Sequence, residues 1–138
     1  MQNIKSMEKE ELIKDLSILI VEDELVNSLF LKEAFMRLPV KIECVGNGQD
    51  AVKSYKKNKF DIVLMDLRLP KLDGFEATRE ILKFDSDAKV IAQTAYAMYG
   101  DREKCLESGF CDYITKPMKR DDLVDMVIKW SPKNQNKK

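Results

Sequence analysis

Ile18-Leu19-Ile20-Val21-Glu22-Asp23-Glu24 is a continuous apolar run, mostly β-branched, that stops abruptly at three acids. A strand with apolar residues on both sides of its pleat has to be covered on both faces, which is the habit of parallel sheets. Phe60-Asp61-Ile62-Val63-Leu64-Met65 repeats the pattern and delivers Asp66 at its end. Val40–Val45, Lys89–Thr94 and Asp112–Thr115 read as three further strands. Helical patterns separate them: Leu25 to about Arg37, with Val26, Leu29, Phe30 and Ala34 near one stripe and Pro39 behind it; Ala51, Val52 and Tyr55, closing in Lys56–Lys59; a stretch to about Lys83 that follows a loop punctuated by Pro70 and Gly74; Asp101–Ser108 before a C-capping Gly109; and Arg120–Trp130. Five strand–helix repeats imply an α/β doubly wound parallel sheet with helices on both faces.

The 138 residues suit one domain over 16–130, and 44% hydrophobic content suffices for a core. Residues 1–15 are mostly polar and read as an extension or linker, with Glu8–Lys14 as a short solvated helix. Residues 131–138 lack apolar side chains, carry Lys133, Lys137 and Lys138, and read as a disordered basic tail. On the last helix, Val124, Met126 and Ile128 lie beyond a single stripe and serve either the core or a docking or homodimer face. Ile18–Val21, like every other apolar run in the sequence, is far too short to span a bilayer, so membrane insertion by this segment is not expected; nor is a secretory leader in Met1–Lys14. Cys44, Cys105 and Cys111 are an odd set with no CxxC and read as free buried thiols in a reducing cytoplasm.

Lys and Arg number 24, as do Asp and Glu, and with both ends set aside the folded part has a small acidic excess. That argues against direct nucleic-acid binding, which needs a basic face. The chain has no histidine. A Ser-His-Asp triad, a Cys-His zinc finger and a phosphohistidine carried by this chain are all excluded.

In a parallel sheet all strand carboxyl ends share one edge, and ligands bind there. Glu22-Asp23, Asp66, Thr94 and Lys116 stand at or just beyond the ends of the first, third, fourth and fifth strands. Each has a plain reading taken singly: Asp23 as a helix N-cap, Asp66 as a polar residue leaving a buried strand, Lys116 as a solvated lysine. Their convergence is what carries weight. Two carboxylates ~4 Å apart repel by ~4 kcal/mol at an effective dielectric near 20, so three need a lysine, a proton or a cation. Oxygen donors on a wet rim suit Mg²⁺, and with Lys116 opposite the site fits a phosphoryl group. No P-loop and no GxGxxG motif is present, which leaves a carboxylate as the phosphate acceptor.

These residues resemble the receiver domain of two-component response regulators, in the manner of receivers attached to hybrid histidine kinases. The matching pieces are Ile18–Glu24, Met65-Asp66-Leu67-Arg68-Leu69-Pro70 with Asp73-Gly74, Thr94-Ala95, and Tyr113-Ile114-Thr115-Lys116-Pro117. The resemblance implies a flavodoxin-like (βα)5 fold with sheet order 2-1-3-4-5. It implies Asp66 as phosphoacceptor from a histidine kinase or histidine phosphotransfer domain, acting without being a turnover enzyme. Glu22, Asp23, Asp66 and the backbone carbonyl of Arg68 are implied as the Mg²⁺ set, Lys116 as partner of the phosphoryl oxygens, and Thr94 and Tyr113 as switch residues. A cis Lys116–Pro117 peptide is implied, as is a signalling face made by the fourth helix, fifth strand and fifth helix of the repeat. Arg68 and Tyr96 fall where the family tunes dephosphorylation, and their bulk predicts slow hydrolysis. The competing readings are a flavodoxin-like ligand-binding module for a ligand such as FMN, an aspartyl-phosphate hydrolase, and a degenerate receiver that signals by binding alone. The hydrolase reading wants an Asp-x-Asp pair where this chain has Asp66-Leu67-Arg68.

Overall fold

The computed structural model describes residues 6–95 and 101–136, so Tyr96 and its expected shielding role lie outside the described residues. In chain order the elements are α1 (Ser6–Ile13), β1 (Leu16–Val21), α2 (Leu25–Phe35), β2 (Val40–Val45), α3 (Gly48–Lys57), β3 (Ile62–Asp66), α4 (Gly74–Phe84), β4 (Val90–Thr94), α5 (Asp101–Glu107), β5 (Asp112–Thr115), α6 (Arg120–Trp130) and α7 (Pro132–Gln135). The strands form one parallel sheet in the order β2-β1-β3-β4-β5.

Alternation along the inner strands divides the core in two. Ile18, Ile20, Ile62, Leu64 and Ile91 face α2 and α6, where Leu31, Phe35, Leu123 and Val127 meet them. Leu19, Val21, Val63, Met65, Val90 and Ala92 face the other way, onto Ala51 and Tyr55 of α3, Ala77 and Ile81 of α4, and Cys105 of α5. Every residue of β3 and β4 is buried, as the uninterrupted apolar runs require. Asn47 caps α3 and Asp73 caps α4, each accepting from the backbone N–H three residues on. Val124 and Met126 are half-buried against the α2/α6 side of the core and Ile128 is buried, so all three serve packing.

Four expectations need correction. The α2 stripe is not Val26, Leu29 and Phe30, which are exposed; only Ala34 of that set is buried, with Leu31 and Phe35. Cys105 is buried, but Cys44 and Cys111 are only half-buried; burial pushes the Cys111 thiol up to about 12 and raises that of Cys44. The N-terminal helix is solvated along its charged side but docked at its end. Leu12 and Ile13 at its end are buried beside Leu16, Val127 and Ile128, and Asp15, at φ 63°, turns the chain into β1 while its N–H donates to the Pro39 carbonyl. Lys9 reaches Asp125 of α6, and Lys133 reaches Glu11.

Residues 131–136 are likewise folded, not a disordered tail. Ser131 is buried, and its hydroxyl both donates to the Ile128 carbonyl and accepts from the Asn134 N–H to start α7. The amide of Asn134 donates to the Ile128 carbonyl and that of Gln135 to the Lys129 carbonyl. The polar residues therefore satisfy the last carbonyls of α6, which have no intrahelical partner.

Asp112, at the start of β5, fixes the other side of α6. It accepts from Lys129 Nζ at 2.9 Å and Trp130 Nε1 at 2.9 Å. Burial pushes its carboxyl up, but the bonds from Trp130 and Lys129 carry it below the ordinary aspartate value. A lowered folded-state value contributes stability above the unfolded-state value of about 3.9, and that contribution is lost as pH falls through the folded value. Asp112→Asn is expected to cost about 2 kcal/mol in urea unfolding at neutral pH. The gap between variant and parent should close as the titration is carried below about pH 4.

Candidate functional site

The parallel sheet brings its carboxyl edge together at one rim. β1 hands over directly to Glu22, whose N–H still donates to the Val45 carbonyl of β2. Asp66 ends β3 and Thr94 ends β4; Lys116 lies one residue past β5 and its N–H donates to the Thr94 carbonyl at 2.7 Å.

Lys116 Nζ donates to Glu22 Oε1 at 2.7 Å and to Asp66 Oδ2 at 3.2 Å. The second oxygens are also engaged: Glu22 Oε2 accepts from the Glu24 N–H and Asp66 Oδ1 from the Arg68 N–H at 3.0 Å. Glu22 and Asp66 are buried and Asp23 is exposed, and one carboxylate oxygen from each lies within 4.8 Å of the others. Burial raises the Glu22 carboxyl above the ordinary glutamate range; the bond from Lys116 opposes this and the charge of Asp66 adds to it. Burial disfavours the Lys116 ammonium, yet the Glu22 bond and the Asp66 charge hold its titration above the ordinary lysine value. The ion pairs thus more than offset the desolvation that works against the charged ammonium.

A cavity of about 290 Å³ opens over this cluster, lined by Asp23, Asn27, Asp66, Arg68, Thr94 and Lys116 among others. Of the predicted groups, Asp23, Asp66, Arg68, Thr94 and Lys116 line this space, and Glu22 adjoins it through its bond with Lys116. Asp23 is not the N-cap of α2, since Glu24 holds that position. Tyr113 is half-buried against the core on the α3/α4/α5 side. The Lys116–Pro117 peptide is cis.

The model of the response regulator receiver domain matches residues 18–128. The chain belongs to that family. Over 119 residues it is 32% identical to the sensor histidine kinase GacS of Pseudomonas protegens, covering 83% of this chain and 13% of that much longer protein. A receiver domain of a Pseudomonas aeruginosa sensor histidine kinase, crystallised with magnesium coordinated in its active-site cleft, is 41% identical with a TM-score of 0.78, covering 84% of this chain and 97% of that one. The receiver domain of a Saccharomyces cerevisiae response regulator, crystallised with a histidine phosphotransfer protein, is 30% identical with a TM-score of 0.80, covering 86% and 90%. The fold is thus that of a receiver, and the flavodoxin-type and hydrolase readings are not favoured. No described helix is long and apolar enough to cross a membrane.

Gly74, part of the matched Asp73-Gly74 pair, supports this receiver rim through its lack of a side chain. It is the first residue of α4, and a Cβ there would lie 2.3 Å from the Asp66 carbonyl oxygen and 2.8 Å from Leu67 Cα. Only a residue without a side chain lets α4 start so close to the β3 end, because those neighbours are backbone and cannot swing aside. Gly74→Ala is expected to lose about 1–3 kcal/mol in denaturant unfolding and to shift the amide resonances of Asp66 to Arg68.

Proposed function

We propose that the domain accepts a phosphoryl group on Asp66 from a phosphohistidine on another domain or chain. The observation that carries this reading is the Asp66 carboxylate, at the end of a buried strand, facing an open cavity with Lys116 Nζ 3.2 Å from one of its oxygens. An Asp66 oxygen attacks phosphorus, the P–N bond breaks, and the donor imidazole leaves. Phosphoryl transfer of this kind is mostly positioning and charge neutralisation. Lys116 takes the phosphoryl oxygens. Glu22, Asp23, Asp66 and the Arg68 backbone carbonyl would hold Mg²⁺; their hard oxygen donors fit it, and it would supply charge neutralisation at the phosphoryl group. Thr94 bonds the new phosphoryl group, and Tyr113 follows it inward, shifting the population of the face built from α5, β5 and α6. Since the chain is a phosphoacceptor of this kind, it works in a cytoplasmic phosphorelay and catalyses only its own loading and hydrolysis, the latter slowly beside Arg68. None of these steps needs a homodimer, nucleic acid or a membrane.

The donor is a histidine kinase or a histidine phosphotransfer domain. Leu25, Val26, Leu29, Phe30 and Met36 lie exposed on or next to α2, which begins at the acidic rim. An apolar face of that kind on an otherwise charged surface favours protein contact over solvation.

Incubation with acetyl phosphate and Mg²⁺ is expected to add one phosphate to the intact mass, and Asp66→Asn to abolish the adduct. Absence of an adduct where a control receiver is labelled would sink the proposal. Leu29→Asp should slow transfer from a phosphohistidine donor at least about tenfold more than it slows labelling by acetyl phosphate, as expected for loss of a contact residue worth more than 1 kcal/mol.

A further inference from the structure

The loop between β3 and α4 carries the Arg68 carbonyl, and backbone contacts fix its course at both ends and at its tip. At its start the Leu67 N–H donates to the Gln93 carbonyl at 3.1 Å and the Arg68 N–H to Asp66 Oδ1. At its end the Gly74 N–H donates back to the Leu67 carbonyl at 3.2 Å and closes the neck. At its tip Lys71 takes φ 67° and the Leu72 N–H donates to the Pro70 carbonyl at 2.8 Å. The Leu72 carbonyl then turns onto Gly48, the first residue of α3.

This approach is closer than the one at Gly74. A Cβ on Gly48 would lie 1.8 Å from the Leu72 carbonyl oxygen, 2.7 Å from its carbon and 2.9 Å from Leu72 Cβ, where ordinary contact begins near 3.4 Å. The conformation of the chain does not ask for glycine there. Gly48 is buried and helical, its φ lies outside the left-handed range, and glycine is among the poorest helix formers. The missing side chain is explained by the carbonyl that takes its place.

A side chain at position 48 has to be accommodated by one partner or the other. Helix α3 has little freedom to retreat. Asn47 caps it, Ala51 and Tyr55 are sunk in the core with no more than 1% exposure, and the Tyr55 hydroxyl donates to Asp85 at 2.7 Å. The loop is held less firmly, since Leu67, Leu69 and Leu72 are only partly buried against that same core. Arg68 lies between the neck and the tip, so a displaced tip carries the Arg68 carbonyl with it. Mg²⁺ tolerates such a shift poorly, because it demands near-ideal octahedral geometry and takes few protein ligands.

We infer that Gly48 is a positioning residue for the metal: by leaving room for the Leu72 carbonyl on α3, it sets where the Arg68 carbonyl is presented to Mg²⁺. Gly48 does not line the phosphoryl cavity and acts only through the loop. The inference rests on the Mg²⁺ set proposed above, but not on phosphoryl transfer to Asp66.

The test is a titration of Mg²⁺ alone into the isotope-labelled full chain, followed by NMR with no phosphodonor present. In the parent chain saturable shifts are expected at Asp23, Asp66 and the Leu69 amide, whose nitrogen is bonded to the Arg68 carbonyl carbon. The Gly48 Hα signals should move with the same midpoint, because coupling between two positions is reciprocal. Gly48→Ala should bind Mg²⁺ at least about tenfold more weakly, the loss typical when support for a metal ligand is removed. Gly109→Ala controls for lost stability. Gly109 precedes β5 at the opposite edge of the sheet, at φ 101° and with a Cβ that would lie 2.4 Å from Leu82 Cδ1. That variant should melt earlier yet keep the parent's affinity for Mg²⁺. Equal affinity in Gly48→Ala, or an equal loss in Gly109→Ala, would overturn the inference. So would motionless Gly48 Hα signals in the parent, a result that counts whether or not Gly48→Ala folds. A parent chain that binds no Mg²⁺ at this rim would overturn the metal set and the inference together, whereas an Asp66 that sees Mg²⁺ but takes no phosphate would overturn only the proposed function.

Discussion

One ammonium group holds the functional end of this molecule together. Lys116 reaches across from the fifth strand to Glu22, 94 positions earlier, and to Asp66, 50 positions earlier. Without it, two buried carboxylates would face each other with only backbone N–H groups in support. At an effective dielectric near 20 such a pair repels by ~4 kcal/mol at 4 Å, a large part of the stability of a domain this size. Glu22 cannot relieve the strain by turning to solvent, since its side chain is 1% exposed. Removing one member of a buried, bonded pair of this kind typically costs about 3–5 kcal/mol, because the remaining charge is stranded. Completion of the sheet and completion of the site are therefore one event: the acids of β1 and β3 are balanced only when β5 has docked.

The same coupling runs to the far end of β5. Asp112, where that strand begins, is tied to Lys129 and Trp130 at the end of α6, while Lys116, just past its end, is tied to the acids. A four-residue strand with an ion pair at each end makes a stiff connection between the reacting edge and the last helix. α6 is further gripped by α1 through Lys9 and Asp125, and by α7 through the amides of Asn134 and Gln135. Under the proposed function a change at Thr94 and Tyr113 meets an α6 braced at both its sides, so within the face of α5, β5 and α6 it is α5 that yields more.

The sheet and the rim were legible in the sequence because both are written in short, unambiguous runs. Ile18–Val21 and Ile62–Met65 are short and rich in β-branched residues, as buried strands are, and the polar residue that ends each run falls on the edge where ligands bind. The face of α2 was not legible. Val26, Leu29 and Phe30 keep helical spacing, and so do Leu31, Ala34 and Phe35; periodicity alone does not choose between two apolar stripes, and the contact with α6 does. The tail was misread for a different reason. Ser131, Asn134 and Gln135 look like a solvated terminus by composition, but their value lies in capping carbonyls that exist only once α6 is formed. Gly48 gives no sign in the sequence of the carbonyl that rests on it, since Leu72 lies well downstream and only the fold brings the two together.

The exposed stripe of α2 also bears on how a phosphodonor is recognised. The chain has no histidine and no net formal charge, so a donor has to arrive from elsewhere and gains little from long-range attraction. Close to the rim the exposed Asp23 carries negative charge that Mg²⁺ would be needed to offset, and a phosphohistidine is itself an anion. Short-range apolar contact is the remaining source of affinity. Leu25 and Val26, 73% and 77% exposed in the first turn of α2, stand immediately beyond Glu22-Asp23-Glu24. At about 25 cal/mol per Å², covering such side chains offsets the approach of one anion to another without placing any new charge at the site. Helix α2 therefore divides its labour: one face, through Leu31, Ala34 and Phe35, secures the sheet, and the other is left bare where the rim most needs a partner that charge alone would turn away.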